Sequence, residues 1–186
     1  MLFAAGEKLP YLFTFPSYFF IRSGGTAMLQ IKLITVGTLK EDYLRAAVAE
    51  YSKRISAYAK LEIVALREAR VPDDPSPAQI DTALRDEGDR ILAAMPARAM
   101  KIALCVEGKQ LDSPGLSALL ERGAAEAGCI CSVIGSSHGL DERVKAACAH
   151  RLSVSKLTFP HQLMQVILLE ALYRGLSISH GSKYHK

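Results

Sequence analysis

The side chains of this sequence that could do chemistry are scattered, and few stand in a reactive pattern. Gly135-Ser136-Ser137-His138-Gly139 is the densest group. Two glycines flanking small and imidazole side chains suit a backbone that comes close to a ligand. An ordinary strand-to-helix turn has the same composition, so both readings stand at this point. The segment lacks the G-x-G-x-x-G of dinucleotide sites and the lysine of a P-loop. Neither Ser136 nor Ser137 has the Gly-x-Ser-x-Gly spacing of a hydrolase nucleophile. His138, His150, His161, His180 and His185 show no metal-ligand spacing, and no metal site is expected. Cys105, Cys129, Cys131 and Cys148 lack a paired Cys-x-x-Cys and read as small apolar residues in a reducing compartment. The last residues, Lys183-Tyr184-His185-Lys186, gather two cations, an imidazole and a phenol. Such a tail is either a frayed solvated end or a mobile arm whose lysines meet phosphates and whose Tyr184 stacks on a base.

These groups need elements to hold them. The chain has 186 residues, 49% hydrophobic and 23% charged, which suits one globular domain and excludes a wholly disordered chain. Seven of its 13 aromatic residues fall within residues 1–27, and Ser23-Gly24-Gly25-Thr26 reads as a joint. Met28 is the expected biological start, with residues 1–27 an upstream-start artefact or a disordered extension; the other reading is a genuine tail that packs on an apolar groove. Without Glu7, Lys8 and Arg22 the net charge falls from +4 to +3. No run reaches the ~18 apolar residues of a membrane span, and the expected location is the cytoplasm.

Within 28–186 the pattern alternates. Strands are expected at Leu29–Val36, Leu61–Leu66, Lys101–Val106, Cys129–Ile134 and Leu152–Ser155. Helices are expected at Lys40–Tyr58, Pro77–Met95, after Asp112-Ser113-Pro114 with Ser113 as cap, at Asp141–Ala149 and at His161–Ser179. That alternation means an α/β fold with a mostly parallel sheet flanked by helices. Ligands of such sheets bind beyond the carboxyl ends of the strands. Here those ends carry Glu107-Gly108-Lys109, Gly135–Gly139 and Leu157–His161. The last helix is apolar nearly all round and must be covered, either by a second subunit or by the core of its own domain.

Leu157-Thr-Phe-Pro-His-Gln-Leu163, Glu170-Ala-Leu-Tyr-Arg174 and Lys183-Tyr-His-Lys186, taken with Gly108-Lys109 and Ile134-Gly135, resemble the RlmH (YbeA-like) family of SPOUT methyltransferases. The resemblance covers Met28 to Lys186. It implies a SPOUT-type α/β fold with a C-terminal trefoil knot, a homodimer, and S-adenosylmethionine as cofactor. It implies methylation of N3 of a pseudouridine in large-subunit (23S) ribosomal RNA. Cofactor contacts would fall on Leu104, Gly135, Val154, Ser155, Lys156, Leu157, Thr158 and Phe159. Tyr184 and His185 would face the RNA, and His161 and His185 are the candidate bases by residue type; for His161 a structural hydrogen bond is an equal reading. Ser136 and Gln165 depart from the Gly and Arg of many members. A charge of only +3 points to an assembled ribosomal surface rather than naked RNA. A SPOUT enzyme acting on transfer RNA and a non-catalytic ribosome-binding module are the rival readings.

Overall fold

The computed structural model describes residues 28–182, so the readings placed on 1–27, Lys183, Tyr184, His185 and Lys186 lie outside the described residues. The elements run β1 (Gln30–Val36), α1 (Asp42–Ile55), β2 (Lys60–Leu66), α2 (Pro77–Ala94), β3 (Met100–Gln110), α3 (Ser113–Glu126), β4 (Cys129–Ile134), α4 (Glu142–Ala147), β5 (His150–Ser153) and α5 (His161–Ser179). The five strands form one sheet in the order β2-β1-β4-β3-β5. Every neighbouring pair is parallel, so all carboxyl ends point the same way.

Alternation along the strands sorts their side chains to two faces. Ile31 and Leu33 of β1 join Ile102 and Ile130 under α1, α3 and α5. Ile34 and Val36 join Ala103, Cys131 and Val133 on the other face, beneath α2 and α4. Helix α5 lies between α1 and α3, with Leu168, Leu169, Leu172 and Leu176 buried. Leu163 of the same helix stays 37% exposed, and Met164, Val166 and Ile167 are only half-buried. Gln165 is buried, at 6% exposure, and presents no open surface to RNA in the protomer. Glu170 and Arg174 stand one helical turn apart and form an i,i+4 pair, Arg174 Nε donating to Glu170 Oε1 at 3.0 Å.

Three local expectations need correction. The helical spacing of Tyr43, Ala47, Tyr51, Ile55 and Tyr58 marks an amphipathic α1, but its buried stripe is Leu44, Val48 and Ile55, and Tyr43 is 69% exposed. The cap of α3 is Asp112, whose carboxylate accepts the Gly115 N–H at 2.8 Å; Ser113 is already helical. The third difference is the largest. Glu107-Gly108-Lys109 does not end β3, which continues to Gln110 with a register shift against β5 between Leu104 and Lys109. Gly108 permits this because a Cβ there would sit 2.4 Å from the Leu152 backbone. The irregular strand swings Glu107 outward at the end of the sheet where the site lies.

Candidate active site

The carboxyl ends of β3, β4 and β5 open into one cleft of about 930 Å³. That is within the range of small-ligand pockets. Leu104 and Glu107 come from β3, Gly135 and Ser136 from the end of β4, and Val154, Ser155, Leu157, Thr158 and Phe159 from the segment after β5. His161 and Met164 of α5 complete that side. Two of the strand ends singled out in the sequence therefore meet, those after β4 and β5; β3 contributes Leu104 to Glu107 from within the strand, and Gly108 and Lys109 lie outside the lining. Lys156 is exposed and lies outside the lining.

Gly135 and Gly139 shape the central loop. The Gly139 N–H donates to the Ser136 carbonyl at 3.0 Å and closes a tight hairpin. A Cβ on Gly135 would lie 1.9 Å from the Gly139 carbonyl oxygen, so only glycine fits. Gly139 has φ +96°, a backbone region that glycine occupies without strain. The Ser136 hydroxyl is buried with no hydrogen-bond partner. An orphaned polar atom in a cleft wall is what a bound ligand would satisfy.

The loop after β5 is braced by its own serines. Ser153 Oγ donates to the Ser155 carbonyl at 2.7 Å, and Ser155 Oγ accepts the Leu157 N–H at 3.0 Å. At the start of α5, Gln162 Oε1 accepts the Lys40 N–H at 3.0 Å. The His161 imidazole occupies space left by Gly37: its Nε2 lies 3.1 Å from where a Gly37 Cβ would be. Gly37 has φ +86°, so both its backbone and its missing side chain serve this corner.

Sequence reasoning missed the charged wall. Asp81 and Arg85 of α2, and Glu142, Arg143 and Lys145 of α4, also line the cleft. Lys145 Nζ donates to Glu107 at 2.6 Å and Glu142 at 2.8 Å. The hydrogen bond from Lys145 holds the Glu107 carboxyl below its ordinary range. Burial opposes the charge on Lys145, but the two carboxylates outweigh it and its pKa is raised. The hydrogen bond from Arg143 likewise depresses the Asp141 carboxyl. Arg85 of α2 and Arg143 of α4 are 58 residues apart in sequence, and only the fold brings the two helices together.

Cys105 lines the cleft, yet burial and then Glu107 push its thiol up, so it is neutral at physiological pH. Burial pushes Cys131 up to about 12 and Cys148 to about 11. The four cysteines are free, as their spacing suggested. Among the described residues no group of three or more His, Cys, Asp and Glu is placed to hold a metal ion. No helix among them is long and apolar enough to cross a membrane.

The walls are partly apolar and partly charged, with carboxylates and bases side by side. Leu104, Ile134, Leu140, Leu152 and Phe159 offer apolar surface, and Glu107 and Glu142 supply carboxylates. The family model described as "Predicted SPOUT methyltransferase" matches residues 29–185. "Ribosomal RNA large subunit methyltransferase H" of Streptococcus gordonii is 43% identical over 162 residues, 85% of this chain and 100% of that protein. The protein of the same name from Leuconostoc citreum is 43% identical over 159 residues, with the same coverage. Among solved structures, the tRNA (m1G37) methyltransferase of Aquifex aeolicus aligns at a TM-score of 0.48 and 14% identity, covering 78% of this chain and 69% of that one. A match that runs through all five strands and the cleft they open, with relatives aligned along their whole length, makes this chain a member of the SPOUT methyltransferase family.

Proposed function

We propose that this protein methylates N3 of a pseudouridine in the ribosomal RNA of the large subunit, with S-adenosylmethionine as methyl donor. The observation that carries the reading is the convergence of the loops after β4 and β5 with residues of β3 on one cleft. Relatives at this identity that bear an rRNA methyltransferase name support the substrate.

The cofactor supplies a methyl group on a sulfonium, already an activated leaving group. The protein's own task is then to bind, orient and exclude water. Leu104, Gly135, Val154, Ser155, Leu157, Thr158 and Phe159 hold the donor on this reading, and Lys156 does not line the cleft. Gly135 lets the hairpin that walls the cleft close, and the Ser136 hydroxyl gains a partner. The acceptor N–H must lose its proton, and His161, a residue of the cleft lining whose Nε2 is packed toward Gly37, is a candidate to receive it. His185 and Tyr184 belong to the RNA-facing tail. The same reading includes a homodimer in the cytoplasm and a trefoil knot near the C-terminus. Support for the knot comes from the family match and from the path of the chain, which leaves edge strand β5 and returns as α5 between α1 and α3.

The test is transfer of labelled methyl from S-adenosylmethionine to ribosomes from a strain lacking this protein. Assembled 70S particles, free subunits and bulk transfer RNA are compared side by side. Label in large-subunit RNA at N3 of a pseudouridine is expected, strongest on assembled particles. Label in transfer RNA alone would overturn the substrate. No label anywhere, with no cofactor binding by folded protein, would leave a non-catalytic ribosome-binding module.

A further inference from the structure

Behind the central loop stands a cluster that touches no strand. Arg143 uses its guanidinium to bind three places at once. Nε donates to Asp141 Oδ2 at 2.9 Å and one terminal nitrogen to Asp89 Oδ1 at 2.8 Å. The other terminal nitrogen donates to Asp141 Oδ2 at 2.6 Å and to the Arg85 carbonyl at 2.9 Å. Asp141 also caps α4, its Oδ1 accepting the Arg143 N–H at 2.7 Å. Asp141 is only two residues beyond Gly139, where the cleft's central hairpin closes. Asp89 and Arg85 belong to α2, and Arg85 itself lines the cleft.

Gly88 makes the approach possible. A Cβ on Gly88 would lie 2.7 Å from Asp141 Oδ2 and 2.9 Å from Asp141 Cβ. Helix α2 thus lacks a side chain at the one point where the loop end presses on it. Asp141 is 8% exposed as a result, a carboxylate sealed against a helix and neutralised by one arginine.

We propose that Arg143, acting through Asp141 and Asp89 over Gly88, is a positioning residue that clamps the Gly135–Gly139 loop to α2 and so sets the affinity of the cleft for its methyl donor. The guanidinium fork matters as well as its charge, because it must satisfy two carboxylates and a carbonyl in fixed directions. Part of this inference rests on the reading of the cleft as the donor site; the clamp itself does not.

Two measurements on the whole chain separate those parts. Arg143→Gln, Asp89→Asn and Gly88→Ala are followed by amide hydrogen exchange without ligand, and by titration calorimetry with S-adenosylmethionine. Exchange at residues 136–140 is expected to rise about tenfold in R143Q, while amides of β1 and β4 keep wild-type rates. Donor affinity is expected to fall about tenfold. R143K recovers part of the affinity, and adding D89N to R143Q changes little further, since both break one clamp. Glu50→Gln, which breaks an exposed pair with Arg54 on the opposite layer, leaves loop exchange unchanged. Wild-type loop exchange in folded R143Q would overturn the clamp. Faster loop exchange with unchanged donor affinity would overturn its role in binding. A wild-type protein that fails to bind S-adenosylmethionine would sink the donor reading, and loop exchange alone would then judge the clamp.

Discussion

Replacing Gly135 by alanine puts a number on how tightly the cleft's central hairpin is built. The added methyl would lie 1.9 Å from the Gly139 carbonyl oxygen and 2.6 Å from its carbon. Ordinary contacts begin near 3.4 Å, so the two arms must part by about 1.5 Å at backbone, where nothing flexible can yield. Overpacking of this kind costs about 1–3 kcal/mol. Parting the arms also weakens the hydrogen bond from the Gly139 N–H to the Ser136 carbonyl, worth about 1 kcal/mol. Together these give about 2–4 kcal/mol, or a melting temperature lower by roughly 5–15 °C in a domain of this length. Gly139→Ala is the matched control. A Cβ there meets nothing within 4 Å, and the penalty is only the left-handed backbone, about 1–2 kcal/mol. Thermal melts therefore rank wild type above G139A and G139A above G135A. Calorimetry shows donor binding lost in G135A and retained, though weaker, in G139A. Equal melts for the two variants, or a G135A protein that binds like wild type, would refute the steric reasoning.

The remaining predictions are smaller. Ser177 is 0% exposed and its hydroxyl has no partner, so Ser177→Ala should gain about 1 kcal/mol and raise the melting temperature by about 2–4 °C; a lower one contradicts this. Burial holds Cys131 and Cys148 protonated up to about 12 and about 11, so their contribution to stability is complete below the unfolded thiol pKa of about 8.5 and drains away as pH rises toward those values. Cys131→Ala should flatten the loss of stability between about pH 8.5 and 11, and an unchanged slope would assign that loss to other groups. His185→Ala should lower turnover more than donor affinity; equal loss of both would end the view of the tail as a substrate arm.

Periodicity found the elements that bury one continuous face. β4 and α5 coincide with their expected bounds because Cys129–Ile134 and His161–Ser179 carry uninterrupted apolar patterns. Gly108 misled for a physical reason: a glycine after an apolar run signals a turn, but here it admits the Leu152 backbone within the sheet. Ser113 lost the cap of α3 to Asp112 because a carboxylate one residue earlier already satisfies the free N–H. The cleft's glycine loop and the segment after β5 were legible as strand ends. Its charged wall was not, because Arg143 finds Asp89 across 54 residues, and a single sequence carries no mark of such a pairing.

Helix α5 spans 19 residues from the cleft to Ser179, about 27 Å along its axis at 1.5 Å per residue. At its far end Ser182 folds back, its N–H bonded to the Ser177 carbonyl. From Ser182 to His185 is three residues, at most about 11 Å of extended chain. The described chain thus ends a helix length from the start of α5, the end that lines the cleft. On the proposed reading of a homodimer whose tail faces RNA, a tail of one copy acting at the cleft of the other would make each catalytic centre shared between two molecules. Inactive G135A and H185A proteins, mixed and allowed to exchange subunits, would then regain activity in the one centre where an intact cleft faces an intact tail.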